Sequence, residues 1–198
     1  MKNNLQFRVI GLITFFMMMV VMANAQAKFG FRVGANLSRQ EARQDSLIVE
    51  PKSKFGLDLA FVADFPLGEV ISFAPELHWL QKGYEIEDIG TEGTATLNYL
   101  ELPLLVKFNF GETSKFGVFG GPSIGYLLGG KVILNGVEQE DFFKFINRLE
   151  LGAHLGAAVT IGPVQVDVRY ILGISNISDV PDVEIRNTAF GAGVAVMF

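Results

Sequence analysis

From residue 28 onward the chain alternates apolar and polar side chains with a period of two, in eight successive segments. The first, about 28–38, sets Phe29, Phe31, Val33, Ala35 and Leu37 on one face and Lys28, Gly30, Arg32, Gly34, Asn36 and Ser38 on the other. The second, about 54–65, sets Phe55, Leu57, Leu59, Phe61, Ala63 and Phe65 against Lys54, Asp58 and Asp64. The third, about 70–83, opposes Ile71, Phe73, Leu77 and Trp79 to Ser72, Glu76, His78 and Lys82. The fourth, about 96–110, carries Leu100, Leu102, Leu104, Val106, Phe108 and Phe110 against Glu101, Lys107 and Asn109. The same reading continues over about 115–128, 148–161, 164–175 and 188–198. Glu150 and His154 face Leu149, Leu151 and Leu155 in the sixth segment, and Asp167 and Arg169 face Val166, Val168 and Tyr170 in the seventh. Period two sustained over so many segments predicts β-strands with one face apolar.

The connections sort by length. Residues 66–69, 111–114 and 162–163 are short, whereas 39–53, 84–95, 129–147 and 176–187 are long. Alternate short and long turns predict an up-and-down antiparallel barrel with both termini at the short-turn end. A soluble barrel alternates too, but turns its apolar face inward around a ligand cavity. Here almost every segment puts charge on the polar face, while Phe, Leu and Val fill the other. The reading is an eight-stranded antiparallel transmembrane β-barrel, all-β, with lipid outside and a polar lumen. Aromatics gather at the segment ends: Phe29, Phe65, Phe73, Phe108, Phe110, Phe116 and Phe198 at one rim, and Phe55, Trp79, Tyr99, Tyr126 and Phe190 near the other. Two interfacial girdles explain that sorting. Pro75, Pro103 and Pro122 lie inside strands that a closed barrel leaves no free edge, which predicts bulges there.

The first 25 residues are of another kind. Lys2 and Arg8 precede an apolar stretch over residues 9–23, and Ala23-Asn24-Ala25 supplies a small-x-small site. That pattern predicts a secretory signal cleaved after Ala25, with the barrel occupying 26–198. The stretch is shorter than the roughly 20 residues a spanning helix requires. Its removal leaves 14 basic against 21 acidic residues, a net charge of −7. Nucleic acid is a poor partner for such a chain. The absence of cysteine excludes disulfides, thiolate metal sites and a lipidated cysteine anchor.

Three stretches resemble the PorT-like family of small outer-membrane barrels. They are Lys28-Phe-Gly-Phe-Arg-Val-Gly-Ala-Asn-Leu-Ser38, Tyr99-Leu-Glu-Leu-Pro-Leu-Leu-Val-Lys107 and Gly120-Gly-Pro-Ser-Ile-Gly125. The resemblance implies an outer-membrane barrel and no catalytic motif; some members are linked to protein secretion. The last strand also resembles the C-terminal recognition signal of outer-membrane proteins, through Phe190, Val194, Val196 and terminal Phe198. It implies insertion by the barrel-assembly machinery.

The inward positions carry Lys28, Arg32, Lys54, Lys82, Lys107, Lys115 and Arg169 against Asp58, Asp64, Glu76, Glu101, Glu150 and Asp167. A barrel of eight strands has room for little more than its own side chains. Near-balanced charge there predicts a salt-bridged network, joined by His78 and His154, that closes the lumen. A narrow ion path is the alternative. Ser123, His154 and Glu150 sketch the members of a hydrolytic triad, but in the lumen and away from the lipid-facing rim. No spacing suggests a metal site or cofactor. The expected role is structural, adhesive or secretion-accessory, and non-enzymatic. The expected partners are outer-membrane lipid and lipopolysaccharide, and a secretion-machinery or surface partner at the long, acidic loops 39–53, 84–95, 129–147 and 176–187.

Overall fold

Residue-by-residue alternation becomes a closed cylinder. A computed structural model describes residues 27–44, 47–49, 51–88, 91–111, 114–138 and 146–198. The expected signal segment and its cleavage site lie outside these residues, as do parts of three long loops. Ten strands are formed: β1 (Lys28–Gln44), β2 (Leu47–Val49), β3 (Lys52–Pro66), β4 (Ile71–Asp88), β5 (Thr91–Phe110), β6 (Ser114–Leu134), β7 (Val137–Glu138), β8 (Leu149–Ile161), β9 (Val164–Gly173) and β10 (Val183–Met197). No helix occurs among the described residues. Eight strands are staves, each antiparallel to its neighbour in the order β1-β3-β4-β5-β6-β8-β9-β10; β2 and β7 are short hairpin additions. The first and last staves close the wall, from Gly30↔Met197 to Gln44↔Val183. Phe198 completes the seam by exchanging backbone hydrogen bonds with Phe29, at 3.0 and 2.7 Å.

The faces fall as the pattern requires. Phe31 is 62% exposed, Leu155 62% and Phe198 70%, whereas Arg32 is 1% exposed and Asp58 and His154 are 0%. Turned outward, such a surface is stable only against lipid; in water it would be one contiguous apolar patch. Aromatic contacts knit the outer face at the short-turn end. Phe29 packs on Phe61 and Phe65 with ring centroids 6.0 Å apart in both cases, and Phe31 lies 6.1 Å from Phe198.

Three expectations are corrected. The staves run well into the segments read as long loops: β4 and β5 pair as far as Asp88↔Thr91, and β6 reaches Leu134 before the Asn135-Gly136 turn. Both turn residues have positive φ, 49° and 79°, the backbone a two-residue hairpin demands. Tyr99 does not join a rim girdle. It shares the parity of Glu101, points inward and is 0% exposed.

The prolines, finally, make no bulges. The register is unchanged across all three, and each leaves a short gap in the ladder toward the preceding stave only. Pro75 pairs with Leu104 on β5 but faces a gap toward β3; Pro103 pairs with Ser123 but not with β4; Pro122 pairs with Ala153 but not with β5. A proline removes one N–H and therefore one side of the pairing. The register shifts lie elsewhere, between Ser53 and Asp58 on β3 and beside Asn98 and Tyr99 on β5.

Inside, polar and apolar layers alternate along the axis. Nearest the short turns are Ala60, Val62, Ala195 and Met197, then Ala74, Leu105, Phe119 and Ala158. The charged belt follows. Leu80, Ile171 and Ala189 sit beside it, and Leu97, Tyr99, Leu127, Ile146 and Ile177 fill the long-hairpin end.

Candidate functional site

The belt in mid-lumen is built by inward positions from all eight staves. Arg32 on β1 reaches over the intervening β10 to Asp167 on β9, with Nε donating to Oδ2 at 2.7 Å and Nη2 to Oδ1 at 2.9 Å. Its Nη1 donates to Asp58 Oδ2 on β3 at 2.5 Å. Space for the guanidinium comes from Gly193 on β10, where a Cβ would stand 2.4 Å from Arg32 Cζ. Asp167 also accepts Arg169 Nε at 2.8 Å, and Arg169 Nη1 donates to Glu76 Oε2 at 2.6 Å. His78 completes the circuit, with Nδ1 2.6 Å from Asp58 Oδ1 and Nε2 2.6 Å from Glu76 Oε2.

Arg32, Asp167, Arg169, Glu76, His78 and Asp58 thus form a closed ring in which cationic and carboxylate groups alternate. Both nitrogens of His78 face carboxylate oxygens, with Arg169 Nη1 also 3.3 Å from Nε2; an imidazolium, with two N–H groups, satisfies both carboxylates. In that form three positive groups balance three negative ones. Arg169 also lies over Phe119, 5.3 Å from the ring centroid, which seats the ring on the apolar layer toward the short turns.

A second group lies on the long-hairpin side. Lys82 Nζ is 3.0 Å from Glu101 Oε2 and 3.2 Å from Glu150 Oε1. Glu101 Oε1 receives Ser123 Oγ at 2.7 Å and lies 2.9 Å from His154 Nε2. Glu150 Oε2 accepts Asn187 Nδ2 at 2.9 Å, and Gln40 Nε2 donates to Asn187 Oδ1 at 2.9 Å. The two groups meet where the rings of His78 and His154 stand 5.9 Å apart.

Three of the charges expected in the network lie apart from it. Lys107 and Asp64 form a third pair near the short turns, 3.4 Å apart, with Lys107 Nζ donating to Gln165 Oε1 at 2.6 Å. Lys54 is half-buried near the long-hairpin end, where its ammonium donates to the Phe55 carbonyl at 3.0 Å. The polar neutral members Gln40, Ser123, Gln165 and Asn187, and the inward Tyr99, were not singled out as network members from sequence. Their signal was parity alone: Gln40, Ser123, Gln165 and Tyr99 share an inward face with an identified charge, and Asn187 shares one with Gly191 and Gly193 on a stave without inward charge.

The triad chemistry is not assembled. A serine nucleophile needs its hydroxyl on the imidazole, whereas Ser123 and His154 both bond Glu101 and Glu150 bonds Lys82 and Asn187. Ser123 and His154 are 3% and 0% exposed. No cluster of three metal-ligating side chains occurs among the described residues.

The sequence profile of the outer membrane protein beta-barrel domain matches residues 22–179. The chain belongs to that family. It is an outer-membrane protein, and its staves are membrane-spanning strands of an eight-stranded barrel. Similar solved structures include neisserial surface protein A, at 18% identity over 85% of this chain and 97% of that one, with a TM-score of 0.47. Ail, the attachment invasion locus protein of Yersinia pestis, is 15% identical over 85% of this chain and 98% of its own, with a TM-score of 0.40. OprG from Pseudomonas aeruginosa is 11% identical over 88% and 97%, with a TM-score of 0.47. No curated protein matches the chain.

Proposed function

We propose that this family member is a closed, non-enzymatic barrel that holds rigid β-hairpins outside the cell for a macromolecular partner, in a structural, adhesive or secretion-accessory role. The observation that carries the reading is the filled lumen. Two buried charge groups, with apolar layers on either side, occupy the bore, and a path for ions would need buried pairs to separate. Breaking one such pair by removing a partner costs about 3–5 kcal/mol, so spontaneous opening is rare.

What remains free to act is the long-hairpin end. There β4, β5 and β6 extend well beyond the apolar wall as paired strands, a stiffer platform than loops provide. The short turns lie in the periplasm on this reading, and the acidic hairpins face lipopolysaccharide and the partner. A PorT-like assignment agrees with the three sequence stretches that resemble that family. The outward Phe190, Val194, Val196 and Phe198 present the alternating strand that the barrel-assembly machinery reads.

Planar-bilayer recording tests the closed lumen. The purified folded protein is expected to insert without producing stable conductance steps. Reproducible unitary currents would instead establish the small-channel reading.

A further inference from the structure

The inward rows end, at the short-turn side, in a cup of about 200 Å³ that opens along the barrel axis. At its inner end Met197, Leu105 and Phe119 narrow the bore to a residual space of about 10 Å³ below Glu76. Three lysines line it, Lys28 from β1, Lys107 from β5 and Lys115 from β6. Lys107 is 6% exposed and uses Gln165 and Asp64 as partners, which leaves its third N–H to the cup. Lys28 and Lys115 are exposed and have no hydrogen-bond or ion-pair partner among the described residues.

The negative groups are differently placed. Asp64 is committed to Lys107. Glu69 stands exposed on the turn at the lip, and the terminal Phe198 is held to Phe29 at the seam. The unpaired positive charge of the cup therefore sits on Lys28 and Lys115 around its mouth, above Lys107, the Thr160 hydroxyl and the Gln165 amide. A concave wall of low dielectric focuses such a field and raises the local concentration of counter-ions.

We propose that this cup is a binding site for a small oxyanion of the phosphate class, entering from the periplasmic side and held between Lys28, Lys107 and Lys115. The site is independent of the hairpin platform at the opposite end and of whether the lumen conducts. Phosphate reaches it either as a soluble ion or as the headgroup of an inner-leaflet lipid.

The test is titration of the full-length protein, folded in dodecyl maltoside micelles, with inorganic phosphate and separately with dihexanoyl phosphatidic acid. Amide NMR shifts at Gly162, Gln165 and Met197 are the readout. Saturable shifts are expected in wild type and in Lys131→Gln, a control at the far end. The Lys28→Gln/Lys115→Gln variant is expected to bind about tenfold more weakly, the combined effect of two partly exposed ion contacts, and wild-type affinity should fall with added sodium chloride. All three proteins should still migrate as heat-modifiable barrels, which separates loss of the site from loss of the fold. Saturation by phosphatidic acid alone assigns the phosphate to a lipid; saturation by inorganic phosphate assigns it to a soluble ion. Shifts that do not saturate, or equal affinities in wild type and the double variant, overturn the proposal.

Discussion

Replacing Arg32 by methionine probes the charged ring where one side chain holds two of its carboxylates. The side chain is fully buried and makes three charge-assisted contacts, at 2.5, 2.7 and 2.9 Å, to two carboxylates that are equally buried. Methionine has similar length and no charge, so the substitution leaves Asp58 with His78 alone and Asp167 with Arg169 alone. The six-member ring then carries two cations against three carboxylates. Removing one partner of a buried ion pair costs about 3–5 kcal/mol, because the charge left behind has lost its solvation and its partner. With a urea dependence of roughly 2 kcal/mol per molar, the unfolding midpoint should fall by about 1.5–2.5 M. Trp79 is the chain's single tryptophan, and its emission reports unfolding from lipid vesicles directly. Arg32→Lys should lie between wild type and Arg32→Met, since an ammonium keeps the charge but cannot grip Asp167 with two parallel bonds. A midpoint for Arg32→Met within about 0.3 M of wild type would refute the ring as a stabilising element, because the buried carboxylates would then have tolerated the loss.

Three further outcomes are expected. Leu155→Arg places a charge mid-stave on the lipid face and should cost about 2–4 kcal/mol in the same urea assay. Gly193→Val puts a side chain where the Arg32 guanidinium lies and should destabilise by about 1–3 kcal/mol while leaving secondary structure by circular dichroism unchanged. Ser123→Ala removes one of two donors to Glu101 Oε1 and should cost about 1 kcal/mol; wild type and variant alike should release no fatty acid from phospholipid vesicles.

The fold was legible because a barrel of this kind writes its two faces on neighbouring residues. Phe31 and Arg32 are adjacent in sequence, and the structure sends one into lipid and the other to the centre of the bore. Where both faces are polar or small, that signal vanishes. Residues 84–88 and 91–95 read as loop, yet they pair as strands, because a hairpin above the membrane needs no apolar face. The apolar residues inside were hidden for a related reason. Leu80, Leu97, Leu127 and Ile171 share parity with the charges, but a rule that sends apolar groups outward passes over them. They are inside because a narrow bore must be filled, and layers of hydrocarbon fill it without further charges to satisfy.

The pairings themselves were not readable. Arg32 and Asp167 are 135 residues apart, and only closure of the wall, which seats β10 between β1 and β9, brings them within reach. Sequence shows that Asp58, Glu76 and His78 face inward; it does not show that they close a ring. The prolines mislead for the opposite reason. Each appears to demand a bulge, whereas losing a single N–H opens only one side of one pairing.

The most direct test of the account uses the absence of native cysteine. Single cysteines placed along β9 and β10 in reconstituted membranes can carry spin labels, whose collision with oxygen and with a water-soluble nickel chelate reports lipid and water separately. Labels at Val166, Val168, Val194 and Val196 should meet oxygen and not the chelate. Labels at Gln165, Ile171, Ala189 and Ala195 should meet little of either, as in a lumen that is closed and dry. Strong chelate contact at Ile171 and Ala189 would contradict the closed lumen, and reversal of the alternation would contradict the barrel's inside-outside assignment itself.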